Sequence, residues 1–583
     1  MSASLKTIFL SEFILVFAMA IGIVPQEFSY LIIVLLVASF IKLNILESLK
    51  LFILSIPFFV ALPANVFSDS MSIWRLLIFV LVVKVCHSVR QLADSESINN
   101  KDLSCFQFVK QRMRRMGRNN GYIQKILNPQ TGGQNDIKQD DKINKLFFLT
   151  ILFFIIVAIS LISAQDIGSG IKKMLFLLNI FLLFPVIIFV IKKESDLIEI
   201  LKAIFCSSFI IVFIGYFQFI LTFFITLSQF WYFWTDNVIK AFYGQNLSHL
   251  LNYSNTWFSY YEIYPPTLRM FSVLPDSHSF AMIIIISIPV ILSAIFFCKG
   301  RQKNYASIIL IFFLLAIFFS GSRGAWVGSI FSLLAGLFLF LSSSVKAKNN
   351  SRFKKTRLII SEFVNLLKSK VGFNFNTKND SKYYSRLITF SILLFFILMP
   401  ISSLILRQNQ EAQLGRRSSS LSSDSESRFS IFERAFSITD FSETSNKGRL
   451  QIWQETLVSI SERPFLGVGF GNFNYVLGEN SSALKKGSSA HSIYFDIAAE
   501  IGIFGLIIFL LLIAEILKVA YELYFKMEKK YLKIFTGSFF IYFVWICAYS
   551  LFDVVIFNDK VLMTVVIMIG VLYSIKRITN HEL

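Results

Sequence analysis

Charged side chains are what this chain has least of. Asp, Glu, Lys and Arg make up 16% of its 583 residues, where a soluble globular protein carries about 25%. With 55% hydrophobic and 16% aromatic residues beside them, the shortfall excludes a water-soluble enzyme of this length and leaves a polytopic membrane protein. Cysteines are few and scattered. Cys86, Cys105, Cys206, Cys298 and Cys547 have no metal-site spacing and imply no disulfide framework, so they read as buried or reduced thiols. No GxxxxGK[ST] loop occurs, which excludes nucleotide hydrolysis by that loop. There is no HExxH, no extracytoplasmic Asp-x-Asp and no GxSxG nucleophile elbow, so no metal, no cofactor and no serine hydrolase is expected.

What the chain has is apolar runs near twenty residues, the length that crosses about 30 Å of hydrocarbon. They predict an all-α polytopic fold of about fourteen transmembrane helices. Four fall in 1–87, six in 146–343, one in 387–407 and three in 491–583. The first does not read as a cleaved signal peptide. Between them, loop 88–145 holds eleven Lys/Arg against six acids, and loop 344–386 holds eleven against two. Loop 408–490 balances nine with nine, and loop 226–278 has two basic residues and three acids. Basic loops stay cytoplasmic, so both termini lie inside and the weakly charged long loops outside. The net charge of +20 is then directed at anionic inner-leaflet lipids rather than nucleic acid. Residues 357–368 read as an amphipathic helix on that leaflet, and the Ser-rich stretch 416–427 as flexible.

Two outer segments carry character. Loop 226–278 is crowded with aromatics, including Phe230, Trp231, Tyr232, Phe233, Trp234, Trp257 and Phe258, and is expected to lie along the outer interface. The rear of loop 408–490 reads as helical, with Leu450, Trp453 and Leu457 on one face, followed by the glycine-rich turn 464–473.

The candidate chemistry sits on the same side. His491 stands at the start of a long apolar helix. Ser488 and Ser489 are good N-cap residues, which would place His491 in the first helical turn, where the helix dipole keeps the ring neutral. A neutral imidazole can accept a proton from a hydroxyl. Asp496 and Glu500 follow four residues apart and read as interior polar contacts. Arg323, between glycines in Ser320-Gly-Ser-Arg-Gly324, could grip a diphosphate through its planar fork. Arg449 opens the outer-loop helix, and Arg269 precedes Asp276 and His278 in one outer segment.

The sixteen residues 490–505 fit the pattern His-[Asn/Ser/Gln]-x9-Gly-x-x-[Gly/Thr/Tyr], filled by His491, Ser492, Gly502 and Gly505. With Ser322-Arg323-Gly324, Gly448-Arg449, Trp453 and the Pro464/Gly467/Gly469 turn, in that order over 320–510, the chain resembles the O-antigen ligase and polymerase superfamily of bacterial envelope glycosyltransferases, GT-C-like proteins of the inner membrane. The resemblance implies an undecaprenyl-diphosphate-linked glycan as donor and an acceptor hydroxyl on lipid A–core or on a growing glycan, met in the periplasm. Arg323, Arg449 and Arg269 would bind the diphosphate and His491 would act as base, with inversion and without a metal. Ser492, Gly502, Gly505, Gly324 and Trp453 would support the site. A ligase is the leading reading, a polymerase of the same fold the alternative. A flippase for lipid-linked oligosaccharides comes third, because no inverted repeat is visible.

Overall fold

The computed structural model describes residues 2–63, 72–95, 137–252, 257–259, 267–349, 381–415, 444–477 and 489–582. The expected amphipathic helix 357–368 and the Ser-rich stretch 416–427 lie outside them, as do Cys105 and Ser488. The described chain is almost entirely helical. Its helices are α1 (Ala3–Ala20), α2 (Ser29–Lys42), α3 (Ile45–Ser55), α4 (Ile73–Ser95), α5 (Ile137–Ser160), α6 (Ile167–Phe181), α7 (Leu183–Val190) and α8 (Glu194–Leu221). The short α9 (Leu227–Phe233), α10 (Lys240–Tyr243) and α11 (Gln245–Asn252) follow. Then come α12 (Ser277–Phe297), α13 (Arg301–Phe319), α14 (Arg323–Asn349), α15 (Ser381–Ile397), α16 (Met399–Gly415), α17 (Thr444–Glu462), α18 (Ile493–Lys526), α19 (Lys530–Tyr549) and α20 (Asp559–Glu582). One two-residue hairpin, β1 (Phe258–Ser259) with β2 (Thr267–Leu268), is antiparallel.

Each of the fourteen expected spans overlaps a helix, and among the described residues eleven helices are long and apolar enough to cross a membrane. The other three are the second, third and fourth. α2 has 14 residues and α3 has 11, which at 1.5 Å per residue reach about 21 Å or less. α4 carries Arg75, Lys84 and Arg90. The polytopic all-α architecture stands; fourteen full crossings do not follow from it.

Burial sorts the helices into layers. α12, α19 and the membrane part of α20 are 78%, 83% and 78% buried, while α1 is 28% buried. A helix apolar on every face belongs inside, and Met282 to Ile286 of α12 have essentially no exposure. The outer helices instead turn Phe79, Phe213, Phe217 and Ile330 outward, as a lipid-facing surface requires. Polar side chains join the inner helices. Ser208 donates to Ser287 at 2.7 Å, Asn409 to Thr222 at 2.9 Å, and Trp545 to the Ala325 carbonyl at 2.7 Å. Such interhelical bonds contribute on the order of 0.6 kcal/mol each within a membrane.

Three readings change. Where it is described, at 226–252 and 257–258, the aromatic segment turns several of its rings into the fold. Phe230, Trp234, Trp257 and Phe258 are buried, and Trp257 stacks on Phe271 at 4.4 Å; among the described aromatics of this segment, Tyr232 and Phe233 are exposed. In α17 the buried residues are Ile452 and Thr456, while Leu450 and Leu457 are exposed. Cys206, Cys298 and Cys547 are free thiols, but Cys86 is disulfide-bonded.

Candidate active site

The site begins with a break in α18. Gly502 has φ 74° and ψ −179° inside that helix, a conformation that only glycine adopts without strain. A break at this depth strands backbone groups, and the turn after α17 takes them. Val468 N–H donates to the Ala499 carbonyl at 2.9 Å and Gly469 N–H to the Glu500 carbonyl at 3.0 Å; Ile503 N–H donates to the Pro464 carbonyl at 2.8 Å. The approach is too close for side chains. A Cβ on Gly502 would stand 2.1 Å from the Phe465 carbonyl oxygen, and one on Gly467 2.3 Å from that of Ala499. The turn is fastened on its other flank to the junction of α5 and α6. Asn472 Oδ1 accepts from Asp166 N–H at 2.7 Å and Nδ2 donates to the Asp166 carbonyl at 3.0 Å. Phe470 N–H donates to Ser160 Oγ at 3.2 Å.

An ion pair locks the same joint. Lys173 of α6 reaches both oxygens of Glu500, at 2.9 and 2.6 Å, and lies 4.6 Å from the Phe470 ring centroid. Glu500 thus makes the interior polar contact expected of it. Lys173→Ala leaves that carboxylate buried without its cation, which costs about 3–5 kcal/mol. Thermal unfolding of the detergent-solubilised protein should show the loss, and Lys173→Met combined with Glu500→Gln should recover most of it.

His491 lies just ahead of this joint, and its placement corrects the sequence reading. α18 starts at Ile493 with Ser492 as N-cap, so His491 precedes the helix. Ser489 is not the cap; its Oγ accepts from His491 N–H at 3.2 Å. The His491 backbone is left-handed, φ 51°, uncommon for a residue other than glycine, although histidine joins asparagine and aspartate in tolerating it. Its neighbours hold it there. Asp496 Oδ1 accepts from Ala490 N–H at 2.6 Å, Trp453 Nε1 donates to the Ala490 carbonyl at 2.8 Å, and Ile493 N–H donates to the Ser550 carbonyl at 3.0 Å. Trp453 also meets Phe495 edge to face at 5.6 Å. Burial, and after it the Arg449 guanidinium, hold the imidazole down at about 4. The ring is neutral, as expected, but through desolvation and a neighbouring cation rather than a helix dipole.

Arg449 connects His491 to a second cluster, for its charge also acts on Tyr549 and Asp553. It lies inside α17, which begins at Thr444, rather than opening the helix. His278 Nδ1 is 2.9 Å from both Ser322 Oγ and Tyr549 Oη, and 3.4 Å from Asp553 Oδ2. Ser322 is the residue before Arg323, with which α14 begins. A Cβ on Gly324 would meet the Tyr549 ring at 2.5 Å, so glycine lets this first turn close on the tyrosine. Arg269 joins through the backbone. The next residue, Met270, donates its N–H to the Phe319 carbonyl at 2.8 Å at the end of α13, beside the turn that carries Arg323. Asp276 caps α12, accepting from Ser279 N–H and Oγ at 2.7 Å each. Burial raises its carboxyl, and burial with the nearby Asp276 charge pushes Asp553 up to about 7.

One end of the bundle therefore gathers the segments of Arg269, Arg323, Arg449 and His491. Tyr549, Asp553 and Lys173 were missed in the sequence. The one signal for Asp553 was its place just past an apolar span on the weakly charged side. Among the described residues no group of three or more His, Cys, Asp or Glu could hold a metal ion. Behind the His491 segment, an apolar cavity of about 190 Å³ runs inward from Ile493, Tyr494 and Ser550 between α5, α6, α18, α19 and α20.

The family model that matches is described as O-antigen ligase and covers residues 308–510. That stretch contains Arg323, Gly324, Arg449, Trp453, His491, Ser492, Gly502 and Gly505; Arg269, His278, Tyr549 and Asp553 fall outside it. No curated protein matches the chain. The glycines that the fold requires at the break of α18 and the residues gathered around His491 thus lie largely in residues 308–510, the stretch in which the chain is similar to the O-antigen ligase family.

Proposed function

We propose that the protein is a metal-independent, inverting glycosyltransferase of the bacterial inner membrane. In this reading it moves a glycan from undecaprenyl diphosphate to a hydroxyl of lipid A–core on the periplasmic side. The observation that carries this reading is the coupling of a neutral, buried imidazole to a guanidinium: His491 is held down at about 4 in part by Arg449. That pairing suits a reaction in which a proton leaves an acceptor hydroxyl while negative charge grows on a departing diphosphate. The acceptor oxygen attacks the anomeric carbon as the bond to the diphosphate oxygen breaks. The hydroxyl proton passes to His491 Nδ1 or Nε2, and undecaprenyl diphosphate leaves bound by Arg449, Arg323 and Arg269. Fixed cations lower the barrier most where charge develops. Attack opposite the leaving group inverts the anomeric centre. The apolar cavity behind His491 would take an isoprenoid or acyl segment of a lipid substrate.

The glycolipid profile of cells lacking the protein tests this. Long polymer retained on undecaprenyl diphosphate beside bare lipid A–core supports the ligase. A single repeat on lipid A–core with no ladder assigns the chain to the polymerases of the superfamily instead. An unchanged profile overturns both. Within the site, Arg323→Lys keeps the charge but loses the fork, and transfer should fall about tenfold; an unchanged rate argues against bidentate diphosphate binding by this residue.

A further inference from the structure

The end of the bundle away from His491 holds a larger cavity, about 660 Å³, lined by α1, α3, α8, α12, α13 and the start of α19. Its polar rim is basic. Lys6, Lys50 and Lys202 line it with a single carboxylate, Glu199. That carboxylate is already fully engaged: Oε2 takes Lys50 at 2.7 Å and Oε1 takes Lys202 at 2.8 Å. Lys6 makes no ion pair among the described residues. The Lys50 side chain is only 9% exposed, so one of these cations has been taken out of water against half of a shared counter-ion. Deeper in, the walls become apolar, with Leu54, Phe205 and Ile309. Beyond the cavity, Phe209 and Phe213 of α8 and Ile308 and Phe312 of α13 continue as exposed apolar surface.

We propose that this cavity binds one anionic phospholipid, its phosphate among Lys6, Lys50 and Lys202 and its acyl chains along Leu54, Phe205 and Ile309. Two unmatched positive charges call for an anion, and an apolar continuation calls for hydrocarbon; a phospholipid supplies both. The cavity is too small for a macromolecule. The basic loops 88–145 and 344–386 attach at this same end, where anionic headgroups of the cytoplasmic leaflet concentrate. A lipid seated here would bridge six helices, and would do so independently of the glycan chemistry at the far end.

The test uses the full-length protein in detergent, analysed by native mass spectrometry with added phosphatidylglycerol or phosphatidylethanolamine. Wild type should retain phosphatidylglycerol several-fold better than phosphatidylethanolamine and should melt several degrees higher with it. The doubly substituted Lys6→Glu/Lys202→Glu protein should lose both the preference and the thermal shift; its two side chains lie at the surface, so the fold is kept. Ala306→Phe, which fills the apolar wall, should lower retention of both lipids. Equal retention of the two lipids by wild type would overturn the proposal, as would an undiminished preference in the lysine variant. Inorganic phosphate that gives the full thermal shift alone would assign the cavity to a free anion and overturn it equally.

Discussion

Cells whose only copy of the protein carries His491→Ala are expected to transfer glycan about 10²–10⁴-fold more slowly, the contribution of a positioned base, while the variant inserts and accumulates normally. His491→Asn is the sharper probe. Asparagine tolerates the left-handed backbone at φ 51° better than alanine does, so it removes the imidazole and leaves the loop. The pH profile adds a second readout. The folded-state pKa lies below the ordinary histidine value, at about 4, so the free enzyme carries a neutral ring at any pH above that. A base so weak accepts a proton reluctantly. A diphosphate bound at Arg449 cancels part of the charge that holds the ring down, and His491 becomes more basic once the donor is seated. Since kcat/KM reports the free enzyme and kcat the complex, the acid limb of kcat should lie at higher pH than that of kcat/KM. Coincident limbs, or near-normal transfer by His491→Asn, would remove His491 as the base.

Gly502→Ala should be the most damaging single methyl group in the site. At φ 74° alanine is strained by about 1–3 kcal/mol, and its Cβ would lie 2.1 Å from a backbone oxygen that cannot swing away. The turn must lift off, which forfeits three backbone bonds worth about 0.5–1.5 kcal/mol each. Together these amount to about 2.5–7.5 kcal/mol, visible as a lower melting temperature and lost transfer. Gly448→Ala is the control. No atom stands within 4 Å of a Cβ there, and alanine in a helix gains up to about 1 kcal/mol over glycine. Equal damage from both would show that the clash at the break is not what matters.

The all-helical polytopic architecture and the glycines around His491 were legible because each is written locally: apolar length, and glycines at fixed spacing from a histidine. The reason for Gly502 and Gly467 was not, since it is a contact between segments some forty residues apart. Lys173, Tyr549 and Asp553 reach the site from helices distant in the chain, and nothing near them in sequence marks them. The face of α17 was misread because Leu450 and Leu457 fit a helical stripe; the packing partners of Ile452 and Thr456, which decide the matter, are not in the pattern. His491 was placed in the helix because serines at 488 and 489 look like caps. The chain instead spends Ser489 on the His491 backbone and starts α18 two residues later.

The docked turn also sets an order of assembly. In α18 the carbonyls of Ala499 and Glu500 and the N–H of Ile503 are bonded to residues 464–469, and an open backbone group in hydrocarbon costs several kcal/mol. During synthesis residues 464–469 emerge before α18, so the turn is already made when that helix forms. Until the turn folds back, the newly inserted helix has a defect at Gly502 that lipid cannot fill. Completion of this helix and docking of the 464–469 turn beside His491 are therefore coupled steps.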